Sequence, residues 1–262
     1  MKKILILLFL LFANHVSAQY SHRLVALEIA PPFTFGGGYA NSKSATPALS
    51  HLLENSKKRC GVYEYLNTRL IFAKRYFISF NIDGVGYKFS RTKTIETLQA
   101  ANPNFIVSRQ SKYGYSTIDE STQNSSSTNL KLGIGYQHPI NDTLYLESYV
   151  GYLRSRYSPS SGLYAFKDPN SNQFYVHEYL MPKAAGRGWF GGIGIKKLAV
   201  EKSESGFRAM YVSARIEMSQ FTAKGTGTEV ITDIYENKVE VPLTYQVKTT
   251  TIIGIIGIGL IL

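Results

Sequence analysis

Leu130 to Arg156 reads LKLGIGYQHPINDTLYLESYVGYLRSR, and its alternation decides the fold. Leu130, Leu132, Ile134 and Tyr136 alternate with Lys131, Gly133, Gly135 and Gln137. Beyond the turn HPIND, Leu144, Leu146, Val150 and Tyr152 alternate with Tyr145, Glu147, Tyr149 and Gly151. Period-2 patterning on both sides of a short polar turn predicts a β-hairpin. One face is greasy. The other carries charge, glycine and tyrosine, which suits a small hydrogen-bonded interior better than an ordinary protein core.

The same reading extends along the chain. Candidate strands cover 22–39, 61–72, 76–91, the two hairpin arms, 188–200, 207–221 and 246–262, eight in all. Pro31-Pro32 is awkward inside the first, because proline removes ladder donors. In the third, Ile78, Phe80 and Ile82 share a face until Asp83-Gly84, where Val85, Tyr87 and Phe89 take over, so a bulge is expected there. Met210, Val212, Ala214, Ile216 and Met218 alternate with Tyr211, Ser213, Arg215, Glu217 and Ser219. Ile252 to Leu262 (IIGIIGIGLIL) is uncharged but too short for the roughly twenty residues of a membrane helix, and it matches a membrane strand of about 9–11. Connections alternate long and short: 40–59, 92–128, 157–187 and 222–245 are long and polar, whereas 73–75, HPIND and 201–206 are short. That sorting puts three short turns on one rim and four long loops on the other, the asymmetry of a transmembrane β-barrel. A β-sandwich has no reason to sort its loops so.

Composition agrees. Aromatics reach 13% with 19 Tyr and 22 Gly, favouring strands and turns over helices. Net charge is +11, and about +9 without Lys2 and Lys3, but the Lys and Arg are dispersed and no nucleic-acid motif is present. No nucleic-acid partner is expected; attraction to anionic lipid headgroups or lipopolysaccharide is. Cys60 is the only cysteine, so no intrachain disulfide can form. Lys2-Lys3, the apolar run Ile4 to Ala13 and Val16-Ser17-Ala18 read as a Sec-type signal peptide over 1–18. The expected mature chain is one barrel domain, 19–262.

Together these features resemble the outer-membrane β-barrel domain family of Gram-negative bacteria, the small OmpA/OmpX-like or PorT-like barrels. The resemblance covers 19–262, and LKLGIGYQHPINDTLYLESYVGY is its most typical stretch. It implies an antiparallel eight-stranded up-and-down barrel in the bacterial outer membrane. The implied partners are outer-membrane lipid and lipopolysaccharide, the barrel-assembly machinery and envelope proteins. Family members usually finish on Phe or Trp, and this chain finishes on Leu262.

An eight-stranded barrel is just wide enough for side chains to fill. The expected interior charge network is Lys131, Glu147, Arg215 and Glu217, and the expected interior aromatics are Tyr145, Tyr149 and Tyr211. With the turn centred near Ile140, Gly133 and Gly135 face Glu147 and Tyr145, and Lys131 lies diagonal to Glu147. The functional expectation is a structural, surface-adhesive or envelope-assembly role through the outer loops, with the interior plugged. A narrow porin-like channel for small solutes is one alternative, and a lipid-modifying barrel enzyme is another. His22, His51, His138 and His177 carry no recognised catalytic pattern, so the chain is expected not to be an enzyme. No catalytic, cofactor or metal residues are assigned, and no cofactor is expected.

Overall fold

Period-2 alternation runs through nearly every stretch that the computed structural model describes, and the chain answers it with strands. The described residues are 25–30, 34–46, 49, 53, 55–73, 75–109, 122–160, 162–171, 173–200 and 209–261. The expected signal peptide lies outside them, as do Pro31, Pro32, His22, His51 and Leu262. In order the elements are β1 (Val25–Ala30), β2 (Phe35–Ser44), β3 (Asn55–Phe72), β4 (Tyr76–Ser90), α1 (Arg91–Ala101), β5 (Ile106–Arg109) and β6 (Thr122–Pro139). They continue with β7 (Leu144–Ser158), β8 (Gly162–Lys167), β9 (Phe174–Leu180), β10 (Ala184–Val200), β11 (Ala209–Thr232) and β12 (Lys238–Ile261).

The expected all-β antiparallel architecture is what the chain adopts. The number of strands differs: among the described residues there are twelve where eight were expected. Following hydrogen-bonded neighbours from β12 leads through β2, β3, β4, β6, β7, β10 and β11 back to β12. β1 pairs with the same two neighbours as β2, namely β12 and β3, and so continues its place in the circuit. Three of the added strands, β5, β8 and β9, come from segments expected as loops. The fourth arises because 22–39, expected as one strand, contains both β1 and the start of β2. β11 and β12 pair without interruption from Ala209↔Ile261 to Thr232↔Lys238. Much of 222–245 is therefore ladder, carrying the hairpin well beyond the circuit. β9 adds to its side, β8 to β9 and β5 to β8. α1 forms within the stretch 92–128, and its C-terminal carbonyls are capped by Asn102, whose Nδ2 donates to Leu98 O at 2.9 Å.

The expected bulge at Asp83-Gly84 is corrected. Ser79, Asn81, Asp83, Val85 and Tyr87 all point inward in unbroken alternation, and the irregularity lies on the partner strand between Glu64 and Leu66. What changes at Asp83 is the interior itself, charged below and aromatic and hydroxylic above.

The hairpin register is also corrected. Gln137 faces Glu147, Gly135 faces Tyr149, Gly133 faces Gly151 and Lys131 faces Leu153. The turn centres on Asp142 because Asn141 Oδ1 accepts from the Thr143 amide at 3.0 Å and the Leu144 amide at 2.9 Å. An Asx-type turn of this kind fixes where the ladder begins. The tight β3–β4 turn places Ala73 at φ 52°, in the left-handed region. Ala73→Gly is expected to stabilise the fold by roughly 0.5–1 kcal/mol, strain relief exceeding the added unfolded-state entropy. The urea midpoint of the folded protein in detergent should rise; a fall would contradict the strained geometry.

Candidate functional site

Inward-facing positions of the circuit hold charge at the end carrying the short turns. Glu28, Glu64, Asp83, Glu147 and Glu217 are all buried there, with Arg69, Lys131, Lys196 and Arg215 among them. Five carboxylates against four cations make this set nearly neutral, which a low-dielectric interior demands.

Two clusters share these charges. In the first, nearer the turns, Arg69 Nη1 donates to Glu147 Oε2 at 2.8 Å and lies 3.8 Å from Glu28 Oε2. Lys196 bonds Glu28, donates to Gln137 Oε1 at 2.6 Å and sits 3.3 Å from Glu147 Oε1. In the second, Lys131 bridges Asp83 and Glu217, and Arg215 bonds Glu64. Asn129 Nδ2 donates to Asp83 Oδ1 at 2.7 Å, Asn67 Nδ2 to Glu64 Oε2 at 3.3 Å and Tyr149 Oη to Glu217 Oε2 at 3.3 Å. Aromatic faces complete the shell. Lys131 Nζ is 5.5 Å from the Phe190 ring centre, Lys196 Nζ is 5.3 Å from that of Tyr145 and 5.4 Å from that of Tyr211, and Arg69 lies 4.8 Å from Phe77.

All four charges expected inside are buried, but they pair differently from the expectation. Lys131 and Glu217 meet directly; Glu147 belongs to the other cluster with Arg69 and Lys196; Arg215 takes Glu64. The expected Lys131–Glu147 pair is not formed, because the true turn centre moves Glu147 toward the rim. Tyr149 and Tyr211 are buried, and Tyr145 is half-buried near the turn. Sequence reasoning missed Glu28, Glu64, Arg69, Asp83 and Lys196. Alternation was the available signal: Glu28 sits between Leu27 and Ile29, and Ile193 and Ile195 place Lys196 inward and Lys197 outward.

Above the charges the interior turns aromatic and hydroxylic. Tyr87 and Ser127 hydrogen-bond at 2.9 Å, Tyr157 donates to Ser125 at 3.4 Å, and Ser42 meets Thr249 at 3.0 Å. Cys60 is buried inward, whereas its neighbour Arg59 is exposed on the opposite face. Beyond this layer, Leu49, Leu53, Leu98, Val107, Phe166, Tyr179 and Met181 are buried in a cap built from the long loops. In the cap, His177 Nδ1 lies 2.7 Å from Glu229 Oε1, and the His177 ring is 4.3 Å from that of Phe166. Burial and the adjacent Glu229 carboxylate push the Tyr179 hydroxyl well above its ordinary range. In the turns, hydrogen bonds from Asn170 and Ser171 hold Asp168 below the usual carboxylate range, and those from Asn237 do the same for Asp233. His138 is exposed beside the β6–β7 turn. Among the described residues no group of three or more His, Cys, Asp and Glu is placed to hold a metal.

No family model and no curated protein matches the chain. Among solved structures it is similar to the outer membrane protease OmpT from Escherichia coli. The identity is 10%, the match covers 93% of this chain and 98% of that one, and the TM-score is 0.33. This corrects the expectation of a chain that is not an enzyme, since the structure it is set beside is a protease. A likeness this distant assigns no activity and no catalytic residue.

Proposed function

We propose that this chain is an outer-membrane β-barrel of eight circuit strands, its interior plugged by side chains, with a structural, adhesive or envelope-assembly role exercised through its cap. One observation carries this reading: the distribution of polarity is inverted. Ile134, Ile193 and Ile216 are 64%, 62% and 58% exposed on the outer face, while Glu28, Asp83 and Lys131 are 0%, 0% and 1% exposed within. Water penalises both halves of that arrangement. Exposed aliphatic surface costs about 25 cal/mol per Å², and buried ions lose their hydration. Hydrocarbon outside removes the first cost, and the paired charges offset the second. Strand closure also gives each circuit strand a hydrogen-bonded neighbour on both sides, as a bilayer requires.

The plug is supported by the charge clusters, by the aromatic layer above them and by the cap over the mouth. The adhesive or assembly role rests on the β11–β12 hairpin, whose far end carries Tyr235 at 76% and Val239 at 59% exposure. Apolar groups presented this way at a loop tip are available for a protein partner. The experiment is migration of the outer-membrane fraction on SDS gels. The unheated chain should run faster than the boiled one. Identical mobility before and after boiling, or absence from that fraction, would overturn the reading.

A further inference from the structure

The outer face of the circuit can be read row by row along the hydrogen-bonded register. One row runs Lys43↔Lys248, Lys248↔Thr222, Thr222↔Arg187 and Arg187↔Arg154, crossing β2, β12, β11, β10 and β7. The four cations in it are all exposed on the outward face. The next row toward the cap runs Gln246, Lys224, Ala185 and Arg156, adding two more exposed cations. Neither row contains a carboxylate. Among the described residues none of the six cations forms an ion pair.

Two of these neighbours are like charges set directly opposite, Lys43 with Lys248 and Arg187 with Arg154. Opposite residues in an antiparallel ladder have Cα atoms about 4.5–5.5 Å apart, and like charges there are unfavourable. Among the described residues no carboxylate neutralises them. The rows on the other side explain where they stand. Immediately below come Asn41, Thr250, Gln220, Trp189 and Tyr152, and then Tyr39, Ile252, Met218, Gly191 and Val150. Trp189 and Tyr152 are 42% and 49% exposed, as interfacial aromatics are. On β10 the outward positions Trp189, Gly191, Ile193 and Ile195 lie between outward Arg187 and outward Lys197. That interval matches the 9–11 residues of a transmembrane strand. The cation rows therefore stand at the headgroup boundary on the cap side, directly above the apolar band.

We propose that these rows bind the phosphate groups of a phosphorylated glycolipid of the outer leaflet, with its acyl chains lying along the Ile, Val and Met rows beneath. The inference rests on the outer-membrane reading with the cap outward. Strands about 4.8 Å apart make a strip of roughly 19 Å, long enough to meet more than one phosphate. The planar forks of Arg154 and Arg187 suit bidentate phosphate contact, and an anion between them turns repulsion into attraction. The aliphatic surface adjoining the strip favours a lipid over a free anion.

The test uses the full chain folded in neutral detergent, its fold checked by heat-modifiable migration, and incubated with bis-phosphorylated lipid A. Retained lipid is counted by native mass spectrometry. Wild type should keep lipid A and should not release it to millimolar inorganic phosphate; it should hold the dephosphorylated lipid at least about tenfold more weakly. Arg154→Gln/Arg187→Gln and, separately, Lys43→Gln/Lys248→Gln should each lose about tenfold or more, while Lys197→Gln at the other boundary should lose nothing. Two independent pairs keep the test open should one variant fail to fold. A folded wild type that retains no lipid A, prefers the dephosphorylated form or yields it to inorganic phosphate overturns this inference alone. A wild type without the heat-dependent shift overturns the barrel reading beneath it.

Discussion

Lys131→Met is expected to destabilise the folded protein by about 3–5 kcal/mol, the range for removing one partner of a buried ion pair. Lys131 is 1% exposed and bridges Asp83 and Glu217, both fully or nearly fully buried. Methionine keeps most of the stem volume, so packing changes little and the loss is electrostatic. Two carboxylates that shared a cation are left facing each other, and Arg215 is already engaged by Glu64. The partners predict the rescue. Adding Asp83→Asn and Glu217→Gln removes the stranded charges, and the triple variant should recover most of the loss, a coupling no additive scheme gives. The measurement is the urea midpoint of the folded species in detergent, followed by loss of the fast-migrating band. A Lys131→Met midpoint equal to wild type would falsify the buried bridge.

The facing of side chains was legible in the sequence, and their pairing was not. In the hairpin the turn was placed two residues early, so every cross-strand partner was wrong, yet Lys131, Gln137, Glu147 and Tyr149 all point inward as expected. A two-residue error preserves parity, and parity alone decides which face is buried. Partners across the interior are another matter. Lys131 on β6 meets Glu217 on β11, and Arg215 on β11 meets Glu64 on β3, strands not adjacent in the circuit. Alternation within a strand says nothing about what stands opposite across a closed sheet. The change at Asp83-Gly84 misled for a related reason: an interior passing from charged to aromatic swaps the apolar face without moving the backbone. The cap was hidden because its core draws single residues from separate short segments within the long loops. Leu98, Val107, Phe166 and Met181 belong to four segments, and no periodicity joins them.

Phe190→Ala carries the other large expected effect, about 3–5 kcal/mol, the cost of emptying a buried phenylalanine site. Phe190 is fully buried, and its ring occupies space that two glycines leave open. A Cβ on Gly133 would lie 2.8 Å from Phe190 Cζ, and one on Gly151 would lie 2.5 Å from Phe190 Cε1. Gly133 and Gly151 are direct cross-strand partners, so the ring covers a paired gap in the inner wall. Truncation opens that gap and removes the aromatic face beside the Lys131 ammonium as well as the neighbour of Tyr149, 6.0 Å away between ring centres. The glycines differ in what else they touch. On Gly151 a Cβ would also strike the Leu132 carbonyl oxygen at 2.3 Å, which no change at Phe190 relieves. On Gly133 the next atoms are Ser79 Oγ at 3.0 Å and Val150 O at 3.1 Å, contacts that small shifts accommodate. Gly133→Ala in the Phe190→Ala background should therefore refill part of the cavity. The double variant should be more stable than the sum of the two single losses by about 1 kcal/mol, as expected for side chains competing for one space. The same pairing with Gly151→Ala should show no such recovery. Equal coupling at both glycines, or none at either, would mean that the ring does not sit over Gly133 as described.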